Sequence, residues 1–154
     1  MLGTIVKRLG HRPWFAAAAR RLVRLDRWLQ RRSKGRIVPM NATGVNTLLI
    51  TTTGRKSGQP RSQPLLFIRD GDDFVVIGSN WGQAHHPAWT ANLLADPRCA
   101  ITWKNKELQA TAELVQDEER ARLLDALTAS WPAYSTYQER AAGREIRIFR
   151  LRGI

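Results

Sequence analysis

A short cationic segment between two apolar runs carries the residues of this chain best suited to chemistry. Residues 48–53 and 64–68 are apolar or β-branched, so the pattern predicts a β-hairpin with the cationic segment as its loop. Glycines let the backbone approach a ligand, arginine and lysine supply positive charge, and serine supplies a hydroxyl. The segment therefore predicts an anion-binding loop, with a solvated basic turn as the alternative. Its residues are Gly54, Arg55, Lys56, Ser57, Gly58 and Arg61.

This loop differs from a Walker loop, in which G-x-x-x-x-G-K-[ST] leads into a helix. Here two glycines bracket Arg-Lys-Ser and a strand follows. Any anion would therefore be held by side chains and loop N–H groups, without a helix behind them.

A second unusual segment follows the strand predicted at residues 73–79. Residues 79–86 read as a loop, and Pro87 suits the first turn of a helix over residues 87–95. Free N–H groups and the dipole at a helix N-terminus favour anions. Trp89 and Asn92 lie three residues apart on this helix, where a core tryptophan and an asparagine that ties a loop backbone are the alternatives to ligand contact.

These segments together carry a family resemblance. The matching stretches are TTTGRKSGQPRSQPL, DGDDFVVIGSNWG, HHPAWTANLLADP and WPAYSTYQ, within residues 45–150. In them the chain resembles the deazaflavin-dependent nitroreductase family, the F420-dependent quinone reductases of actinobacteria. The resemblance implies an oxidoreductase that transfers a hydride from reduced coenzyme F420, an 8-hydroxy-5-deazaflavin, to a quinone, a nitro compound or an activated enone.

The resemblance also implies where the cofactor binds. Arg55, Lys56 and Arg61 would hold its phosphate and glutamate tail, because arginine holds such oxyanions through paired hydrogen bonds. Asn80 stands where several relatives carry lysine, which implies one fewer cationic contact to the tail. The remaining cofactor-binding residues implied are Gly54, Ser57, Gly58, Pro64, Leu65, Ser79, Trp81, Gly82, Pro87, Trp89 and Asn92.

The electron acceptor is implied to lie against a late aromatic segment. Tyr134 and Tyr137 are three residues apart, so on a helix they share a face. Together with Ser79 they would stabilise charge that develops on the acceptor oxygen. Trp131 stands where some relatives have a third tyrosine and would line the acceptor site with an indole N–H. Plain packing residues at helical spacing are the alternative.

Two other functions stay open at this point. A barrel of the same type can hold FMN, whose phosphate a cationic loop would also accept, and a non-catalytic cofactor carrier or membrane-surface binding protein would need no acceptor site. No metal site is expected, because His85 and His86 are adjacent and the only other histidine is His11. The single cysteine, Cys99, lies in an apolar run and is expected to be a buried small hydrophobe.

The positive charge is concentrated at the N-terminus. The 154 residues carry a formal net charge of +12. Residues 1–36 hold eleven Lys and Arg against one acid, Asp26, whereas residues 37–154 hold fourteen against twelve. This asymmetry predicts a basic N-terminal arm with its linker, residues 1–44, and a nearly neutral cofactor-binding domain, residues 45–154.

The arm has the pattern of a basic amphipathic helix. One face would carry Trp14, Ala18, Leu22, Leu25 and Leu29, and the opposite face Arg20, Arg24, Arg27 and Arg31. Such a helix either packs across the body or lies on an anionic membrane surface. Nucleic acid is disfavoured because no nucleic-acid-binding motif accompanies the arginines. With no signal-peptide core and no apolar span of about 20 residues, the expected location is the cytoplasm, with peripheral contact at the inner face of the membrane if the arm binds lipid.

The fold class follows from the spacing of the elements. Strands are predicted at residues 47–53, 62–69, 73–79, 98–104, 107–115 and 145–151, with turns at 70–72 and 105–106 and a helix over 117–127. Several short antiparallel strands with few helices predict a mainly β fold with flanking helices (α+β) built on a small barrel. The resemblance implies a split β-barrel of the type found in flavin-binding oxidoreductases. The acceptor's identity and the oligomeric state are left open.

Overall fold

The structure, a computed structural model, describes residues 12–15, 17–18, 21, 46–141 and 143–154. Within them six antiparallel strands close into one barrel in the order β1-β2-β3-β6-β5-β4. The strands are β1 (Thr47–Thr53), β2 (Pro60–Asp70), β3 (Asp73–Ile77), β4 (Arg98–Trp103), β5 (Lys106–Leu114) and β6 (Ile148–Gly153). Three α-helices flank it: α1 (Ala88–Ala95), α2 (Asp117–Ser130) and α3 (Ala133–Arg140).

Each predicted strand is present, with small shifts at the ends. The β4–β5 turn consists of Lys104 and Asn105, one residue earlier than predicted, and both have positive φ (49° and 61°). A two-residue hairpin turn that matches the twist of its strands requires positive φ at both positions, and asparagine tolerates it. The prediction placed the turn on Asn105 and Lys106, but Lys106 already pairs with Trp103.

Two other boundaries also differ from prediction. Strand β3 ends at Ile77, two residues early, because Gly78 passes close to α1: a Cβ at Gly78 would lie 2.6 Å from Thr90 Cγ2. Strand β6 begins at Ile148, three residues late. Residues 144–147 therefore form a connection that reaches the region after β3, with the Gly78 N–H donating to the Arg147 carbonyl at 2.8 Å.

The barrel interior is one apolar cluster. Alternate residues of the strands point inward, as the pleat requires. Phe67, Phe74 and Trp103 pack edge to face or tilted at 5.2–5.7 Å between ring centroids. The buried members are Leu48, Ile50, Phe67, Phe74, Val76, Trp89, Leu93, Cys99, Ile101, Ala110, Ala112, Phe149 and Leu151. Cys99 is buried as expected, and burial raises the pKa of its thiol to about 11.

A second cluster lies outside the barrel, where α2 and α3 cover the outward face of β3 and β6. Leu123 and Leu127 of α2 pack here with Val75 and Ile148. Trp131, Tyr134 and Tyr137 belong to the same cluster. The outer cluster is therefore richer in aromatic residues with polar atoms than the barrel interior.

A charge network fixes α2 on the barrel. Arg150 of β6 is buried and pairs with Asp70, Asp73 and Glu119, which belong to the β2–β3 turn and to α2. Hydrogen bonds from Arg122 first, and then from Arg150, hold the pKa of Asp70 well below its usual value. These contacts hold α2, and with it the start of α3, in place.

Only a small part of the N-terminal arm is described. Residues 13–15, 17–18 and 21 are helical. Phe15 packs against the outer cluster, whereas Trp14 is 57% exposed and Ala18 is exposed. Leu22, Leu25, Leu29, the four arginines of the opposite face and the linker lie outside the described residues. Within the described residues, no helix has the length and apolar character needed to cross a membrane.

Candidate functional site

A cleft opens where β2, the loop after β3 and helix α3 meet. Ten of the residues predicted for the cofactor and the acceptor line it: Pro64, Leu65, Ser79, Asn80, Trp81, Pro87, Trp89, Trp131, Tyr134 and Tyr137. Gln63, Leu66 and Ile77 complete the lining. Four chain segments, far apart in sequence, thus form one surface that combines five aromatic side chains with polar groups, which suits a flat conjugated ligand that carries polar atoms.

The two tyrosines predicted to contact the acceptor come together as their helical spacing predicts. Tyr134 and Tyr137 lie one turn apart on α3, with ring centroids 6.1 Å apart, and Trp81 packs on Tyr137 at 5.9 Å. Both tyrosines are buried. Burial, followed by the neighbouring Tyr137, raises the pKa of Tyr134, so this phenol stays protonated at physiological pH. A protonated phenol can donate a hydrogen bond to an acceptor oxygen.

Trp131 carries a donor that the protein leaves unused. The residue is 4% exposed, and its indole Nε1–H has no hydrogen-bond partner among the described residues. A buried donor without an acceptor costs about 1–3 kcal/mol, so an unused one calls for an explanation. Trp131 is also one of the residues that line the cleft.

The cationic loop occupies the tip of the β1–β2 hairpin, as predicted. Strand pairing runs to Thr53 opposite Pro60, and the loop is closed by bonds from the Gly54 N–H to the Gln59 carbonyl and from the Gly58 N–H to the Gly54 carbonyl. Gly58 has φ +67°, a conformation that favours glycine.

The cations of this loop are exposed and free of acids. Within residues 46–141 and 143–154, no carboxylate pairs with Arg55, Lys56 or Arg61, and Arg61 donates only to the Ser57 hydroxyl, at 3.4 Å. Three neighbouring cations repel one another, and no acidic group among the described residues compensates them. An anionic ligand would supply the compensating negative charge.

Asn92 connects the loop to the cleft. From the buried face of α1 it accepts a hydrogen bond from the Arg55 N–H (3.1 Å) and donates one to the Thr52 hydroxyl (3.1 Å). Trp89, one turn earlier on α1, lines the cleft and packs on Phe149 of the barrel interior. Asn92 therefore ties the loop backbone, one of the two alternatives considered for it, and the loop and cleft share the support of α1.

The loop after β3 is shaped by close contacts. Asn80 and Trp81 have positive φ (47° and 57°), and the Asn80 amide donates to the His85 carbonyl at 2.9 Å. Gly82 lies so close to α3 that a Cβ there would be 3.0 Å from the Tyr137 backbone. This close approach brings the predicted cofactor loop and the tyrosine helix into one wall of the cleft.

Comparison with known proteins identifies the family. The model of the F420H(2)-dependent quinone reductase family matches residues 22–152. The chain belongs to this family.

Two of the individual proteins similar to this chain are described as F420H2-dependent reductases. The chain is 35% identical over 124 residues to the F420H(2)-dependent quinone reductase Rv1261c of Mycobacterium tuberculosis, covering 79% of this chain and 83% of that protein. A solved F420-H2 dependent reductase, FDR-A, has 31% identity and a TM-score of 0.63 over 69% of this chain and 93% of its own. A structure described as a domain-swapped dimer has 26% identity and a TM-score of 0.65, covering 81% and 97% of the two chains. The barrel predicted from the resemblance to this quinone reductase family is thereby confirmed.

Sequence reasoning missed four residues around the site of this quinone reductase. Gln63, Leu66 and Ile77 line the cleft but have no feature that separates them from other strand residues. Arg144 holds the loop after β3 through several hydrogen bonds, yet it is one arginine among several in a basic C-terminal stretch. Among the described residues, no three His, Cys, Asp or Glu side chains cluster as metal ligands.

Proposed function

We propose that this protein is an F420H2-dependent quinone reductase in which the β1–β2 loop holds the cofactor's anionic tail and the cleft holds its ring. The observation that supports the arrangement is the placement of both features on one strand. Pro64 lies four residues along β2 from Pro60, where the loop ends. Four strand residues span about 13 Å. An elongated ligand with a flat ring and a charged tail matches this layout.

The loop residues suit the tail of this cofactor, which carries a phosphodiester and several glutamates. Arg55, Lys56 and Arg61 would bind these oxyanions through charge-assisted hydrogen bonds, which are about twice as strong as neutral ones. Because the cations have no acid partner in the described residues, binding would break no ion pair. The Ser57 hydroxyl, which accepts bonds from the Gln59 N–H and from Arg61, lies among them.

The cleft suits the ring. Pro64 is buried and Leu65 half-buried on one side, and Trp81 and the residues of α3 form the other. When bound, the cofactor supplies a hydride, so the protein needs no nucleophile or metal of its own. The task of these residues is to orient the ring and the acceptor and to exclude water from between them.

The quinone would lie against the aromatic wall of α3. Tyr134 and Tyr137, with Ser79 from the opposite loop, line the cleft and would donate hydrogen bonds to a quinone oxygen as negative charge develops there. The unused Trp131 N–H would add a further donor to the same wall. Because the protonated Tyr134 holds its proton firmly, its contribution is a hydrogen bond.

The test is a titration of the purified protein with oxidised coenzyme F420, FMN and NADP, followed by steady-state reduction of menadione, a nitroimidazole and cyclohexenone by reduced F420. We expect the protein to bind F420 but neither FMN nor NADP, and to reduce menadione faster than the other two acceptors. Arg55→Gln should weaken F420 binding, whereas Lys106→Gln, an exposed cation on β5, serves as the matched control and should not. Preference for FMN, or no turnover with any acceptor, would refute the proposed function.

We also propose that the N-terminal arm makes peripheral contact with an anionic membrane, where quinones reside. Trp14 is exposed while its neighbour Phe15 packs on the body, and Arg12 and Arg21 are exposed close by. An exposed tryptophan among arginines matches the interfacial pattern. Sedimentation with vesicles containing phosphatidylglycerol should decrease for Trp14→Ser and for a chain lacking residues 1–11. Equal sedimentation of both variants with the full chain would exclude this contact.

A further inference from the structure

Arg144 forms several hydrogen bonds with one side of the loop that follows β3. Its guanidinium donates to the carbonyls of Gly78 (3.2 Å), Ser79 (2.9 Å) and Gln83 (3.0 and 3.2 Å), and it contacts His86 Nδ1 at 3.1 Å. Each end of the loop is thus bonded to one side chain. Arg144 lies in the connection between α3 and β6, far from the loop in sequence.

These bonds, together with one from the Gly82 N–H to the Ser79 carbonyl (2.9 Å), fix the direction of the loop's peptide groups. In a trans peptide the carbonyl and the N–H of the next residue point in opposite directions, and no peptide of the described residues is cis. Because the Gly78 and Ser79 carbonyls point at Arg144, the N–H groups of Ser79 and Asn80 point away from it. Ser79 and Asn80 line the cleft, whereas Arg144 does not. The two N–H groups are therefore on the side of the loop that faces the cleft.

We propose that Arg144 is a positioning residue, which turns the N–H groups of Ser79 and Asn80 toward the cleft so that they donate hydrogen bonds to an oxygen of the bound ring. This inference rests on the proposed function, because it assumes a flat, oxygen-bearing ligand in the cleft. Both the deazaflavin and a quinone carry such oxygens, and separate measurements with each tell them apart.

An arginine is needed for this role. The planar guanidinium offers five donors in a fixed fork, which here serve three carbonyls and an imidazole nitrogen at once. A lysine keeps the charge but has a compact head that cannot reach all four acceptors in the same way. Glycine at position 82, packed against the Tyr137 backbone, leaves the loop no room to move toward α3 and compensate.

The experiment compares Arg144→Lys with Arg147→Lys. Arg147 is three residues away and also partly buried, but among the described residues its side chain donates only to the Thr90 hydroxyl. For Arg144→Lys we expect about tenfold weaker binding, the equivalent of about one neutral hydrogen bond. The loss should be in the Kd of F420 and the KM of reduced F420 if the donors serve the cofactor, or in the KM of menadione if they serve the quinone. Arg147→Lys should change neither.

The readouts separate positioning from plain stabilisation. A residue that only stabilises the fold would lower the melting temperature of Arg144→Lys and leave the Kd of the folded protein unchanged, which would overturn the proposal. Should Arg144→Lys not fold, amide hydrogen exchange on the wild type decides: slower exchange at Ser79 and Asn80 on adding F420 or menadione supports the proposal, and unchanged exchange with both overturns it. Failure of the wild type to bind F420 at all would instead refute the proposed function.

Discussion

The barrel interior and the outer cluster contain similar numbers of buried side chains but differ in chemistry. The interior is filled mainly by aliphatic and phenyl groups, with one buried indole (Trp89) and the thiol of Cys99, and its buried Asn92 donates a hydrogen bond to the Thr52 hydroxyl. The outer cluster contains two phenols and an indole whose N–H has no partner. The difference indicates that the interior has been shaped for stability, whereas the outer cluster keeps polar groups available at some cost in stability.

The largest expected effect tests the conclusion that the barrel interior serves stability. Phe74→Ala removes a ring that packs on Phe67 and Trp103, and should lower the free energy of unfolding by about 3–5 kcal/mol. The Kd of F420 for the protein that remains folded should not change. Urea unfolding and an F420 titration at low temperature measure the two quantities, and a parallel loss of affinity would remove the distinction between the regions.

The next effect concerns the hairpin loop between β1 and β2, whose three cationic side chains are exposed and add nothing to the packing of the interior. Replacing Arg55, Lys56 and Arg61 together by glutamine should weaken F420 binding by roughly 100-fold, about 1 kcal/mol for each charge-assisted bond. Stability should stay within about 0.5 kcal/mol, because the side chains are exposed. The affinity of the variant should also depend less on salt. Destabilisation comparable to Phe74→Ala would show that the loop serves the fold.

A smaller effect is expected at Trp131, whose buried indole N–H has no partner among the described residues. Trp131→Phe removes ring area but also a buried N–H without a partner, so the two contributions to stability offset each other to within about 1 kcal/mol. Trp103→Phe, the matched change in the interior, should cost about 1–2 kcal/mol. The KM of menadione should rise several-fold for Trp131→Phe alone. An equal KM in both variants would mean that the indole N–H meets no ligand.

The smallest effect is a dependence on pH. Burial foremost, and then the charges of Arg147 and Arg144, lower the pKa of His86 below 6.5. The folded protein thus takes up a proton on His86 less readily than the unfolded chain does. The contribution of His86 to the free energy of unfolding is therefore constant above about pH 6.5 and declines as the pH falls toward the lowered pKa. His86→Asn keeps an acceptor beside Arg144 without a titrating ring. Its unfolding free energy should decline less than that of the wild type between pH 6.5 and 5, and an equal decline would exclude His86 as the source.

The sequence is sufficient for the elements and for naming most of the residues that line the cleft, and particular residues show why. Alternating β-branched residues and Gly71, Gly54 and Gly58 mark strands and turns locally, so the six strands were predicted to within a few residues. The helical spacing of Tyr134 and Tyr137 was also local information. The functional roles of these residues stay predictions.

What escaped prediction depends on contacts between distant segments. Arg144 meets Gly78 only because β6 pairs with β3, and nothing around either residue signals this pairing. The late start of β6 has the same origin, since residues 144–147 are drawn toward the loop after β3. The partnerless state of the Trp131 N–H likewise depends on what surrounds it in three dimensions.

The pairing of β3 with β6 has a consequence for how the protein is made. Ile77 pairs with Ile148, and β1 closes on β4, so the barrel is held together by contacts that are distant along the chain and slow to form. Arg144, which holds the loop after β3, is synthesised after the first five strands and just before β6. A ribosome-bound chain that ends before β6 therefore has its hairpin loop and its tyrosine helix but no closed barrel beside them. Competence to bind the ring should appear only after β6 has left the ribosome.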